Sequence, residues 1–112
     1  KMNIQKQSLG EKLILALEGR LDTTTAPQLE AELKKSFDGV KELEFDFADL
    51  KYLSSAGLRV ILAAQKVMNK QGSMLLRNVN EEIMDIFEVT GFVDILTFEE
   101  PLKSAETAEI NS

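Results

Sequence analysis

Apolar and polar positions change their period several times along the chain, and each change marks an element. Met2–Ser8 is mixed and predicts a modest strand. Leu9, Gly10 and Glu11 supply a turn, with glycine free to adopt positive φ. KLILAL, Lys12 to Leu17, is nearly continuous apolar sequence and reads as a buried strand. The two strands are expected to form a hairpin.

TAPQLEAELKKSF predicts the first helix. Thr25 is the expected N-cap and Gln28 the partner of a capping box, with Pro27 tolerated in the first turn. Leu29, Leu33 and Phe37 share one face at spacings of four, and Gly39 is the stop. ELEFDF, Glu42 to Phe47, alternates charged and apolar side chains, as a strand with one buried face does. The second helix opens within KYLSSAGLRV. Ser55 is its expected N-cap, and Ile61, Ala64 and Met68 form its apolar stripe, with Val60 and Val67 beside it. Arg59, Lys66 and Lys70 lie towards water, and Gly72 ends the helix.

SMLLR, Ser73 to Arg77, predicts another strand. Asn80 caps a third helix whose first turn holds Glu81 and Glu82, and Gly91 terminates it. Ile83, Phe87 and Thr90 are expected to face inward. ILTF, Ile95 to Phe98, reads as a short last strand. The tail from Pro101 reads as a fourth helix with Leu102 and Ala105 inward, or as a frayed end. Strands alternate with helices after the opening hairpin. The expected fold class is therefore α/β: one domain over 1–112, with a mostly parallel, mixed sheet flanked by helices.

Composition narrows the chemistry. The chain has 112 residues, 44% hydrophobic and 29% charged, enough for a core without crosslinks. Cys and His are both absent, which removes thiol nucleophiles, imidazole bases and the common zinc ligand sets. The expectation is no catalytic residue, no metal and no cofactor. The net charge of −6 opposes binding to nucleic acid or to an anionic membrane and favours a basic partner. With no long apolar run and no secretory pattern, no membrane insertion is expected and the expected compartment is the cytoplasm. Glu42, Glu44 and Asp46 alternate on one strand face, but nothing completes a catalytic constellation, and they read as a solvated face. Gly10 and Gly19 read as turns, not as a nucleotide-binding loop.

One stretch raises a question of its own. Glycine inside a helix costs about 1 kcal/mol relative to alanine. Gly57 nevertheless stands in a first turn beside two serines. It either leaves the backbone open to a partner or permits close helix–strand packing. Free N–H groups at that helix end also favour a phosphate.

FDFADLKYLSSAGLRVILAAQK resembles the signature of the STAS domain, found in bacterial anti-sigma factor antagonists. LEGRLDTTTAPQLEAEL upstream and LLRNVNEEIMDIFEVTGFVDIL downstream resemble two further blocks of that family, so the likeness spans most of the chain. The resemblance implies a non-catalytic partner switch in transcription regulation, of the kind used in stress response and sporulation. Its unphosphorylated form binds a serine kinase/anti-sigma factor and releases a sigma factor. Phosphorylation of one serine ends binding, and a serine phosphatase restores it. The serine two positions before the motif glycine is Ser55, with Ser54 as the competing acceptor. Many members have aspartate and a second serine where this chain has Ser54 and Ala56. The expected partner surface is Asp22, Thr23, Thr24, Ser54, Ser55, Ala56, Gly57 and Arg59. For Asp22 a capping role is the alternative, and for Arg59 simple exposure on the helix. Asp46 and Asp49 read as solvated turn charges, with positioning of a kinase as the alternative. The free protein is expected to be a monomer. Small STAS proteins that assemble with transporter ATPases supply an alternative function, and a small-ligand or nucleotide sensor a third.

Overall fold

The computed structural model describes residues 2–99. The expected fourth helix or tail at 101–112 lies outside them. Two strands, β1 (Met2–Leu9) and β2 (Lys12–Leu21), pair antiparallel from Met2↔Gly19 to Leu9↔Lys12. Then follow α1 (Ala26–Ser36), β3 (Glu42–Leu53), α2 (Ser55–Gln71), β4 (Ser73–Arg77) and α3 (Glu81–Thr90). The sheet order is β1-β2-β3-β4, with β2–β3 and β3–β4 parallel. The expected class, a mixed and mostly parallel sheet opened by a hairpin, is the one observed.

Side-chain alternation sets the two faces. Leu13, Leu15 and Leu17 of β2 and Leu43, Phe45 and Phe47 of β3 are buried on one face. Leu29 and Leu33 of α1 and Ile61, Ala64 and Met68 of α2 join them in a single core. Ile83 and Phe87 of α3 complete it, and the Phe87 ring meets Phe98 edge to face at 5.4 Å. KLILAL is thus not buried on both sides: Ile14 and Ala16 are only half-buried on the other face. β2 also runs four residues past Leu17, through a register shift between Ala16 and Glu18.

Glu44 departs from the solvated-face expectation. It is 8% exposed, with Lys12 Nζ at 2.7 Å and Arg77 Nη1 at 3.3 Å. Two cations on neighbouring strands allow a carboxylate to be buried there. Glu42 stays exposed, and Asp46 accepts from the Ala48 N–H and the Asn78 side-chain amide. Asp46 and Asp49 belong to β3, which continues to Leu53.

Three local expectations are corrected. Thr25 and Gln28 form no capping box: the Thr25 hydroxyl donates to Arg20 O at 2.8 Å and accepts from the Asp22 N–H. Gln28 instead donates to Met2 O. Thr90 is exposed and bonds back to the Ile86 and Phe87 carbonyls within its own helix. The last strand shrinks to a single parallel bridge, Leu76↔Phe98, because a 3₁₀ turn over Phe92–Asp94 occupies the preceding residues.

Candidate functional site

The serine pair sits where β3 ends and α2 begins. Ser54, not Ser55, is the N-cap: it is extended, and its Oγ accepts from the Gly57 N–H at 3.4 Å. Its own N–H donates to Leu21 O at 2.9 Å, tying the joint to the end of β2. Ser55 is therefore the first helical residue, exposed, and not used as the cap. The one-residue shift divides the pair: one hydroxyl holds the helix start, and the other faces solvent.

Gly57 answers its question from the inside. It is buried against β2, and a Cβ there would come within 2.5 Å of Leu21 Cγ and 3.0 Å of Leu21 O. The glycine lets α2 pack close to the ends of β2 and β3. Of the two readings of Gly57, the structure shows the close helix–strand packing. Ala56 is half-buried. Arg59 is exposed on α2 with no ion pair among the described residues.

Asp22, Thr23 and Thr24 form the turn that follows Leu21, next to the serine joint. The Asp22 Oδ1 accepts from the Thr24 hydroxyl at 2.8 Å and from the Thr24 and Thr25 N–H groups at 3.0 and 3.2 Å. The Thr24 hydroxyl first, with the Thr25 and Thr24 backbone groups, holds the Asp22 carboxyl down to about 2. Asp22 thus stays ionised in the turn that leads into α1 and has a structural task there. Thr23 and Thr24 are exposed.

Residues 3–105 match the STAS domain. The chain belongs to the STAS family. A protein of Bordetella bronchiseptica, provisionally named as the anti-sigma factor antagonist BtrV, is 33% identical over 109 residues, spanning 96% of this STAS chain and 94% of its own. An anti-sigma factor antagonist from Mycobacterium paratuberculosis has the same fold, with a TM-score of 0.81 at 20% identity over 96% of this chain and 93% of its own. The Bacillus cell fate determinant SpoIIAA in its phosphorylated form aligns with a TM-score of 0.70 at 19% identity over 95% and 99%.

Two neighbours of the serine joint escaped the sequence reading. Arg20 and Tyr52 are cross-strand partners, and the guanidinium lies 4.1 Å from the centre of the Tyr52 ring. Arg20 Nε is also 3.6 Å from Asp22 Oδ2. Tyr52 is 40% exposed, a large side chain within the stretch that resembles the STAS signature. The visible signal was Tyr52 itself, the only tyrosine of the chain, immediately before Leu53 and the serines. Among the described residues no cluster of His, Cys, Asp and Glu could hold a metal ion. No helix there is long and apolar enough to cross a membrane.

Proposed function

We propose that this STAS domain is an anti-sigma factor antagonist that works as a phosphorylation-controlled binding switch. Its unphosphorylated form binds a serine kinase/anti-sigma factor and frees the sigma factor. It performs no catalysis itself: it accepts phosphate on Ser55, and a phosphatase removes it. ATP belongs to the kinase.

The observation that carries this reading is the division of labour at the joint. Ser54 is spent on capping, while Ser55 is exposed at the first position of α2. A phosphate there gains roughly 0.3–1 kcal/mol from the helix dipole, so modification leaves the fold intact. Its roughly −1.5 to −2 charge and its bulk act at the interface instead. Asp22, Thr23, Thr24, Tyr52 and Arg20 extend that surface around the serine. A loss of about 2.8 kcal/mol makes a hundredfold change in affinity, which is the size expected of the switch. The named anti-sigma factor antagonists among its relatives, and a phosphorylated form of SpoIIAA in the same fold, support it.

Phosphosite mapping after incubation with the cognate kinase and ATP tests it. Phosphate on Ser55, absent from Ser55→Ala, is the expected result. Phosphate on Ser54 keeps the function and moves the site. No phosphate with an active cognate kinase overturns the reading and favours assembly with another complex.

A further inference from the structure

The opposite end of α2 carries a second polar feature. Asn69 lies fourteen residues beyond Ser55, about 21 Å along the helix. There a cavity of about 310 Å³ opens beside the edge strand β4, with Glu42, Glu44, Gln65, Asn69, Met74 and Thr97 in its wall. Gln65 is only 7% exposed. Its Nε2 donates to Asn69 Oδ1 at 2.8 Å, yet its buried Oε1 accepts nothing. A buried acceptor without a donor is costly, and such atoms are few in native proteins.

The strand edge is half used in the same place. In a parallel pair, successive residues turn their backbone groups to opposite sides. The Ser73 N–H bonds to Lys41 O on the β3 side, whereas Leu76 bonds outward, to Thr97 O and the Glu99 N–H. The Met74 backbone groups therefore also face away from β3, while its side chain packs in the core, and no strand pairs with them there among the described residues. The single parallel bridge Leu76↔Phe98 already uses the outward side of this edge one step further along. Glu42 is exposed at the same cavity and has no ion pair among the described residues, whereas Glu44 is held by Lys12 and Arg77.

We propose that this cavity binds an extended, basic peptide segment of a partner protein, added beside the free half of β4. The segment exchanges backbone hydrogen bonds with Met74 and, as the Gln65 side chain turns into the cavity, donates an N–H to Gln65 Oε1. A Lys or Arg side chain reaches Glu42. This is strand addition at an open edge, with one buried side-chain acceptor and one carboxylate providing selectivity. The net charge of −6 favours such a guest.

The test is a ¹H–¹⁵N titration of the isolated protein with acetyl-Val-Lys-Val-amide, beside acetyl-Val-Glu-Val-amide, and requires neither kinase nor phosphate. Expected are saturable shifts at the Met74 N–H and the Gln65 side-chain amide, with a Kd near about 1 mM for so short a probe. Affinity falls about tenfold in Gln65→Leu and several-fold in Glu42→Gln, which leaves the core untouched. No saturation, equal response to the acidic peptide, or unchanged affinity in both variants overturns the proposal. Water cross-peaks at the Gln65 amide with no peptide effect mean that an ordered water satisfies Oε1, and also overturn it. Concentration-dependent shifts without peptide assign the edge to a second copy of the chain.

Discussion

Gly57 lies so close to Leu21 that a single added methyl would stand 2.5 Å from the Leu21 branch carbon and 3.0 Å from its carbonyl oxygen. The helix that carries Ser55 is thus held against the strand that leads to Asp22, and their spacing depends on a missing side chain. Alanine at 57 gains helix propensity but forces the two elements apart, and overpacking costs more than the gain. Gly57→Ala is expected to destabilise the fold by about 1–2 kcal/mol in urea unfolding. An increase in stability would show that Leu21 yields freely.

The two serines should separate cleanly in the same measurement. Ser54 supplies a cap bond to the Gly57 N–H, whereas Ser55 is exposed and outside the cap. Ser54→Ala is expected to cost about 0.5–1 kcal/mol, the low side of the usual range because the bond is long at 3.4 Å. Ser55→Ala is expected to stay within about 0.5 kcal/mol of wild type. A larger loss from Ser55→Ala would move the cap back to Ser55.

Asp22 predicts an acid dependence. Its carboxyl sits at about 2 in the folded protein, against an ordinary value of 3.8. A group lowered on folding stabilises the fold above its unfolded value, and that contribution is lost as pH falls through the folded one. Urea midpoints should therefore decline between about pH 4 and 2. Asp22→Asn, which does not titrate, should flatten that part of the profile. An unchanged profile in the variant would assign the acid transition to other carboxylates.

Asn80 is a second cap with two bonds. Its Oδ1 accepts from the Ile83 N–H at 2.8 Å, and its Nδ2 donates to Leu50 O at 3.2 Å. Asn80→Ala removes both and is expected to cost about 1–2 kcal/mol. Asn80→Asp keeps the acceptor and loses the donor, so its loss should be smaller. Equal losses would place the cost in the link to β3 rather than in the cap.

Glu44 joins β2, β3 and β4 through Lys12 and Arg77. Glu44→Ala leaves two cations side by side over a sheet face and is expected to cost about 1–3 kcal/mol, limited because both cations remain partly in solvent. Added salt should narrow the gap between variant and wild type. A salt-independent loss would point to packing of the Glu44 stem instead.

Much of this STAS domain is written in local pattern. The hairpin turn at Gly10, the stripe of Ile61, Ala64 and Met68, the Asn80 cap and the Gly91 stop each depend on residues a few positions apart. Period, capping chemistry and positive φ are local properties, so the order of elements and the place of the serine joint could be read directly. The STAS blocks carried the functional reading in the same way.

Tertiary structure decided the rest, because those outcomes depend on residues brought together from distant positions. Whether Glu44 meets water or two cations depends on how β2 and β4 flank β3. Thr25 leaves its capping box because Arg20 O and the Asp22 turn compete for its hydroxyl. The last strand gives way to a bridge because the Ile95 and Leu96 N–H groups turn back to Phe92 O, leaving only Phe98 to pair with Leu76. Gly57 reads equally well as an opening or a close contact until Leu21 is set beneath it. The chain by itself determined the order of the four sheet strands and the three helices between and after them. Only packing decided which hydroxyl caps, which carboxylate is buried and which side of the glycine is occupied, since each is a competition between partners far apart in sequence.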